Sequence, residues 1–337
     1  MKEITGIKSV DFKITALGEG VVNWNGSTEL KILVNGAYKK INNHSLPKLR
    51  GYTNKIIKEN KDGKSYEDVK SPDDIDFKKT PLYISQNCIR HHLFKNEAFN
   101  LQDPEVAKNM DKLLCSLTGL VRGYVIAKKE YKRTSSLLIT DFNEIRGNGN
   151  FEQMTRSGSK EKETTKSGND KSTSMFSKTT FGDTKYIAYA SISIEQLQFI
   201  SLDDQFSRQS MEVNSEEEAK EVASKLSMYL QKLSGENEAK AVYHKNYVRK
   251  GAIFNNDKHG EAGILLNDAA INVVVEQVKS LLANLSIRQA KGYMYVDTID
   301  VDYNNSTSAK NMFRIKRNPE KTQEAKNDEY AVYFEGI

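Results

Sequence analysis

Val10-Asp-Phe-Lys-Ile-Thr-Ala16 alternates apolar and polar side chains, and Tyr186-Ile-Ala-Tyr-Ala-Ser-Ile-Ser-Ile-Glu-Gln-Leu-Gln-Phe199 does so again far along the chain. A period of two is the mark of a half-buried strand. Gly292-Tyr-Met-Tyr-Val-Asp-Thr-Ile-Asp-Val-Asp-Tyr303 reads as a long third strand, residues 121–126 as a short one and residues 329–335 as the last. Helical signals lie between them. Tyr83 and Ile84 run into a helix over 85–94, with Ser85 as its N-cap and Cys88, Ile89, Leu93 and Phe94 at helical spacing. Asp103-Pro104 opens a second helix, a cap followed by proline at the first helical position, which reaches about Leu117 with Gly119 behind it. Ser215-Glu-Glu-Glu218 is a capping box for a helix that ends before Gly235. Residues 268–285 form another amphipathic helix. The elements mix without a strict βαβα rhythm, which predicts an α+β fold.

The 337 residues suffice for one large domain with insertions or for two ordinary ones. Apolar residues are 38 % of the chain and charged residues 28 %, with 50 Lys+Arg against 45 Asp+Glu, so the protein is only mildly basic. Cys88 and Cys115 make no CxxC pair, which excludes a disulfide framework or a zinc ribbon and predicts two small packed thiols in a reducing compartment. The first residues have no apolar core of a signal peptide, and the most apolar run, 264–285, is broken by Asn267, Asp268, Glu276 and Lys279. These features predict a soluble, cytoplasmic protein with no membrane partner.

Enzyme motifs are missing. There is no P-loop, HExxH or GxSxG, and Gly18-Glu-Gly20 has Asn23 where a dinucleotide fingerprint needs its third glycine. His91 and His92 are adjacent, so on a helix they point about 100° apart and do not share a metal easily. Asp300 and Asp302 share one strand face; two carboxylates there could bind a metal, yet a solvated strand face is the commoner explanation. No cofactor and no metal site is expected.

Charge, in contrast, is concentrated. Residues 37–64 carry eight basic side chains against Glu59 and Asp62, with a loop tip at 60–63. Residues 146–178 hold seven basic and four acidic residues, four glycines and six serines, and read as a long basic loop or hairpin, or else as a linker between domains. Arg288, Lys291, Arg314, Lys316 and Arg317 form a third group. With 16 tyrosines and 13 phenylalanines for stacking, three such patches point to nucleic acid. A protein-interaction module with solvated basic faces is the competing reading.

Several strings resemble one family. Leu46-Pro-Lys-Leu-Arg-Gly-Tyr52, Thr80-Pro-Leu-Tyr-Ile-Ser-Gln-Asn-Cys-Ile-Arg-His-His92, Ile192-Ser-Ile-Glu-Gln-Leu-Gln198 and Ser286-Ile-Arg-Gln-Ala-Lys-Gly-Tyr-Met-Tyr295 look like the backbone subunit of the type I-F variant CRISPR Cascade. That resemblance spans nearly the whole chain. It implies a palm resembling an RNA recognition motif (ferredoxin-like), with a basic web insertion at 37–79, a helical finger part at 95–140 and a basic thumb at 146–182. The rest of the palm would be residues 183–337, with helices 216–234 and 268–285. It further implies a non-catalytic subunit whose copies line up head to tail along the spacer of a CRISPR guide RNA, present it to target DNA, and meet other Cascade subunits at the two ends of the guide. The RNA-binding residues it implies are Lys48, Arg50, Ser85, Gln86 and Arg90, then Phe176, Lys178 and Phe181 at the thumb's return, and Arg288, Gln289, Lys291 and Gly292. Related backbone proteins of type III systems cut RNA with a thumb-side aspartate. Asp183 lies near such a position, without a metal partner in the sequence.

Overall fold

The computed structural model describes residues 4–24, 28–34, 37–44, 47–50, 76, 78–96, 105–127, 129–147, 151–156, 175–180, 182–203, 209–235, 237–249, 260–306 and 312–336. Within them, helices and strands are mixed and every named strand pair is antiparallel.

The main sheet is built on strand Ser9–Gly20, which pairs on one side with Asp183–Ser193 and on the other with Gly292–Asn304. Across the sheet the order is Ser286–Gln289, Gly292–Asn304, Ser9–Gly20, Asp183–Ser193, Phe142–Glu144, Tyr83–Ile84, with Leu137–Ile139 also paired to Asp183–Ser193. Alternation decides which face is buried. Val10, Phe12, Ile14 and Ala16 are fully buried, and their register partners Ile192, Ala190, Ala188 and Tyr186 are buried beside them. This face is covered by helix Gln86–Phe94, through Ile89, Leu93 and Phe94, and by helix Asp268–Ala283, through Ile271, Val274, Val275 and Val278.

The register of Gly292–Asn304 slips between Thr15 and Ala16, so Asp297 has no partner on the central strand. One extra residue inverts the alternation. Tyr303, Val301 and Ile299 face the core on one side of this bulge, and Met294 does so on the other. The bulge thus turns Tyr293 and Tyr295 onto the open face, where they are 47 % and 45 % exposed.

A second sheet orders Phe199–Ser201, Glu261–Leu266, Ala241–Arg249 and Phe334–Gly336. The long helix Glu216–Ser234 packs on it, burying Ala219, Val222, Leu226 and Leu230. Arg133 staples the two parts. Its buried guanidinium donates to the carbonyls of Leu120 (3.2 Å), Leu197 (3.2 Å) and Phe199 (3.1 Å), and burial pushes its pKa down to about 10.

Several expectations need correction. The strand starting near Tyr186 ends at Ser193, whose hydroxyl accepts from Gln196 N and caps a short helix, Ile194–Gln198. The single helix expected up to Leu117 is two short pieces, a 3-10 turn Val106–Lys108 and an α-turn Met110–Leu114, and a π-turn Thr118–Arg122 follows where it was expected to have ended; its expected start, Asp103-Pro104, lies outside the described residues. Gly119 does not end a helix but sits inside the π-turn, where an added Cβ would strike the Leu113 carbonyl. The strand expected from Val121 begins at Tyr124. Residues 37–44, noted in the sequence for charge alone, form a hairpin with Thr28–Val34. The C-terminal strand shrinks to Phe334–Gly336, preceded by an isolated parallel bridge between Ile7 and Tyr330. Residues 51–75 and 157–174 lie outside the described residues.

Candidate nucleic-acid interface

The central strand ends at Gly20, which takes a left-handed φ of 73°. A side chain there would press on the Lys291 carbonyl, so glycine is required by both conformation and space. The next four residues act as a junction. Gly20 N donates to Gly182 O (3.0 Å) and Val21 N to Lys291 O (3.2 Å). The Asn23 carbonyl accepts from Lys48 N (2.9 Å), and its side-chain Oδ1 accepts from Ser85 N (2.9 Å). Trp24 forms a bridge with Pro47. Four segments distant in sequence, 47–50, 85–94, the chain leaving 175–180 and the 288–292 turn, are thereby tied to residues 20–24.

The predicted residues occupy these segments as follows. The Ser85 hydroxyl accepts from Cys88 N and caps helix Gln86–Phe94, as its position suggested. Gln86 is exposed, and its backbone N–H donates to Asp141 Oδ1 (2.8 Å). Arg50 is exposed and its guanidinium donates to Asn143 Oδ1. Lys48 is half-buried, close enough to Cys88 for its charge to oppose the rise that burial gives the thiol pKa. Arg90 is half-buried; Nη1 donates to Ser135 Oγ (3.0 Å) and Nη2 to the Leu137 carbonyl (2.5 Å). Burial lowers its pKa, and the neighbouring Arg122 lowers it further.

Arg288 and Gln289 are exposed on strand Ser286–Gln289, Lys291 is half-buried in the turn that follows, and Gly292, also half-buried, opens the next strand. The close approach that Gly292 permits is to the chain's own backbone at Glu19 and Val21. Phe176 and Lys178 take register positions opposite Thr155 and Gln153 in the hairpin of Phe151–Arg156 with Met175–Thr180. Strand Ala37–His44 lies beside the first of these strands. Phe181 lies outside the described residues.

Two tyrosines join this end of the sheet that were not selected from sequence. Tyr293 stands opposite Arg288, and Tyr295 opposite Ser286. Their i, i+2 spacing in Gly292-Tyr-Met-Tyr295 is a readable signal of one shared face, but which face depends on the bulge.

Other titratable groups have structural partners. Asp302, expected on a solvated face, is fully buried and held by Arg314, while Asp300 pairs with Lys13 (3.2 Å). Asp183 is exposed and stands opposite Glu19. Among the described residues no group of three His, Cys, Asp or Glu side chains converges as a metal site would. Cys115 is half-buried and burial raises its thiol to about 11. No helix among the described residues is long and apolar enough to cross a membrane.

Fold and junction together define a mixed α/β scaffold that gathers basic segments at one end of an antiparallel sheet. A family model described as Type I-Fv CRISPR-associated protein Cas7fv-like matches residues 6–336, and the chain belongs to that Cas7 family of type I-F variant CRISPR systems. No curated protein matches the chain.

Proposed function

We propose that this protein is a non-catalytic backbone subunit that binds CRISPR guide RNA and assembles in head-to-tail copies along its spacer, presenting the bases to target DNA in the cytoplasm. Other Cascade subunits would occupy the two ends of the guide. The observation that carries the reading is the junction at residues 20–24, which holds all four segments bearing the expected RNA contacts at one end of the sheet. Lys48, Arg50, Gln86, Arg90, Arg288, Gln289 and Lys291 supply charge and hydrogen bonds to phosphate and sugar, which position RNA without reading its sequence.

The strand order supports a palm of the RNA-recognition-motif kind. Following the chain, strand 9–20, helix 86–94, strands 137–139 and 142–144, strand 183–193, helix 268–283 and strand 292–304 run in βαββαβ order, with strands 9–20 and 183–193 adjacent in the centre and strand 292–304 on the other side of 9–20. On this reading residues 146–182 are the thumb, residues 37–79 the web and residues 95–140 the finger, with the last strand of the finger segment, Leu137–Ile139, joining the palm sheet. The test is native mass measurement of the protein with single-stranded RNAs of increasing length and unrelated sequence. Copies should add in even steps of length, whatever the sequence. A fixed stoichiometry, or binding to one sequence only, would overturn the proposal.

A further inference from the structure

Arg122 is the last residue of the π-turn Thr118–Arg122, a rare element that recurs at functional sites. Gly123 follows at φ 73°, and a Cβ there would strike the Arg133 carbonyl and the Ser135 N, so the turn is held in one place. A short chain of hydrogen bonds fixes Arg122 beside Arg90. Arg90 Nη1 donates to Ser135 Oγ, and that hydroxyl sits 2.9 Å from two carbonyl acceptors, Leu137 and Val121, the latter the residue before Arg122. Helix Gln86–Phe94 packs against the π-turn.

Two guanidiniums are therefore neighbours, and among the described residues neither has a carboxylate partner. Their mutual repulsion is felt at Arg90, where burial and Arg122 are the only influences on the pKa and both lower it. Arg90 uses two of its five N–H donors on Ser135 and Leu137, and the side chain of Arg122 makes no hydrogen bond among the described residues. Three N–H donors of Arg90 and the whole fork of Arg122 thus lack a partner among the described residues, and such donors suit a phosphodiester.

We propose that Arg90 and Arg122 form a two-arginine clamp for one phosphate of single-stranded nucleic acid, with Ser135 holding the first arginine in place. The clamp rests on the RNA-binding reading above and adds to it a contact that the sequence did not single out. Gln86 and Arg90 are one helical turn apart, so the clamp continues the line that begins at Lys48, Arg50 and Gln86.

The test measures fluorescence anisotropy of two labelled single-stranded RNAs of unrelated sequence, titrated with the full chain over a salt series. Arg122→Ala should weaken binding of both RNAs about tenfold at low salt, and the slope of log affinity against log salt should fall by about 0.7. Its melting temperature should match the wild type, because the side chain makes no internal bond. Arg122→Lys should restore the slope but only part of the affinity, since lysine lacks the fork. Wild-type binding with an Arg122→Ala variant of unchanged affinity and slope would overturn the clamp and leave the RNA-binding reading standing. A loss confined to one of the two sequences would also overturn it, since a phosphate is the same in both. A wild type that binds neither RNA would instead overturn the parent reading.

Discussion

Arg314 places Nε and Nη2 on the Asp302 carboxylate at 2.5–3.0 Å, and a third donor reaches the Tyr303 carbonyl. The Asp302 side chain is fully buried and that of Arg314 is 14 % exposed. The ion pair fastens helix Phe313–Arg317 onto the open face of the main sheet, beside Asp11, which accepts from Met312 N (2.8 Å), and Tyr189, whose ring lies 4.6 Å from Lys316 Nζ. Removing one partner of such a pair strands a buried charge, whereas removing both does not. Arg314→Leu should therefore destabilise by about 3–5 kcal/mol in urea unfolding, and the double variant Asp302→Leu/Arg314→Leu should recover most of that loss. A double variant no more stable than the single one would show that Asp302 is not the reason for the cost. At this scale the sequence misleads in a definite way. Arg314 and Lys316 look like members of a basic patch, because a list of charges does not say which have an internal partner. Arg133, with its bonds to carbonyls alone, carries no sequence signal at all.

Elements whose signals are local are the ones that can be read. Ser215 accepts from Glu218 N (3.1 Å), and Gly235 closes the same helix at φ 75° with its N–H on the Gln231 carbonyl. Each device acts within four residues, so the sequence displays it whole. Ser215→Ala should cost about 1 kcal/mol, seen as a lowered thermal midpoint, with Ser215→Asp close to wild type. An alanine variant as stable as the wild type would mean that Glu218, which also accepts from Asn214 N (2.7 Å), holds the helix end without it. The 106–122 region shows the opposite case. Its signals read as a helix that stops near Leu117, yet Gly119 packs against the Leu113 carbonyl, and the chain forms two short turns and then a π-turn through Arg122. The bulge at Asp297 is similar. Alternation predicts the strand but not the inversion of its faces, which is set by pairing with Thr15 and Ala16. The second sheet brings residues 199–201 next to 261–266, and 241–249 next to 334–336, a long-range pairing with no local signature.

At the scale of the whole molecule, the candidate site exists only because distant segments meet. Residues 20, 47, 85, 182 and 291 are joined at a junction that the sequence shows only as Gly20 followed by Val-Val-Asn-Trp24, and the resemblance to a backbone subunit grouped the segments without giving their common anchor. The hairpin of Phe151–Arg156 with Met175–Thr180 is paired to itself in a two-stranded sheet of its own, and its return is fastened to the main sheet by the Gly20–Gly182 hydrogen bond. Among the residues whose burial is described, the apolar core is built on the main sheet, the second sheet and the helices packed on them. Stability and assembly should thus separate. Replacing residues 158–171 by a short Gly-Ser linker spares both strands of the hairpin and leaves the Gly182 anchor in place. The variant should melt within a degree or two of the wild type, because the apolar strands of the main sheet lie elsewhere in the chain and residues 158–171 are polar. On guide RNA it should form irregular or shortened complexes by electron microscopy and sizing, because each copy loses part of the basic segment that would reach the next. Full-length, evenly spaced complexes from a normally melting variant would show that the segment is only a connector. A variant that fails to fold would show that the core depends on residues placed here outside it.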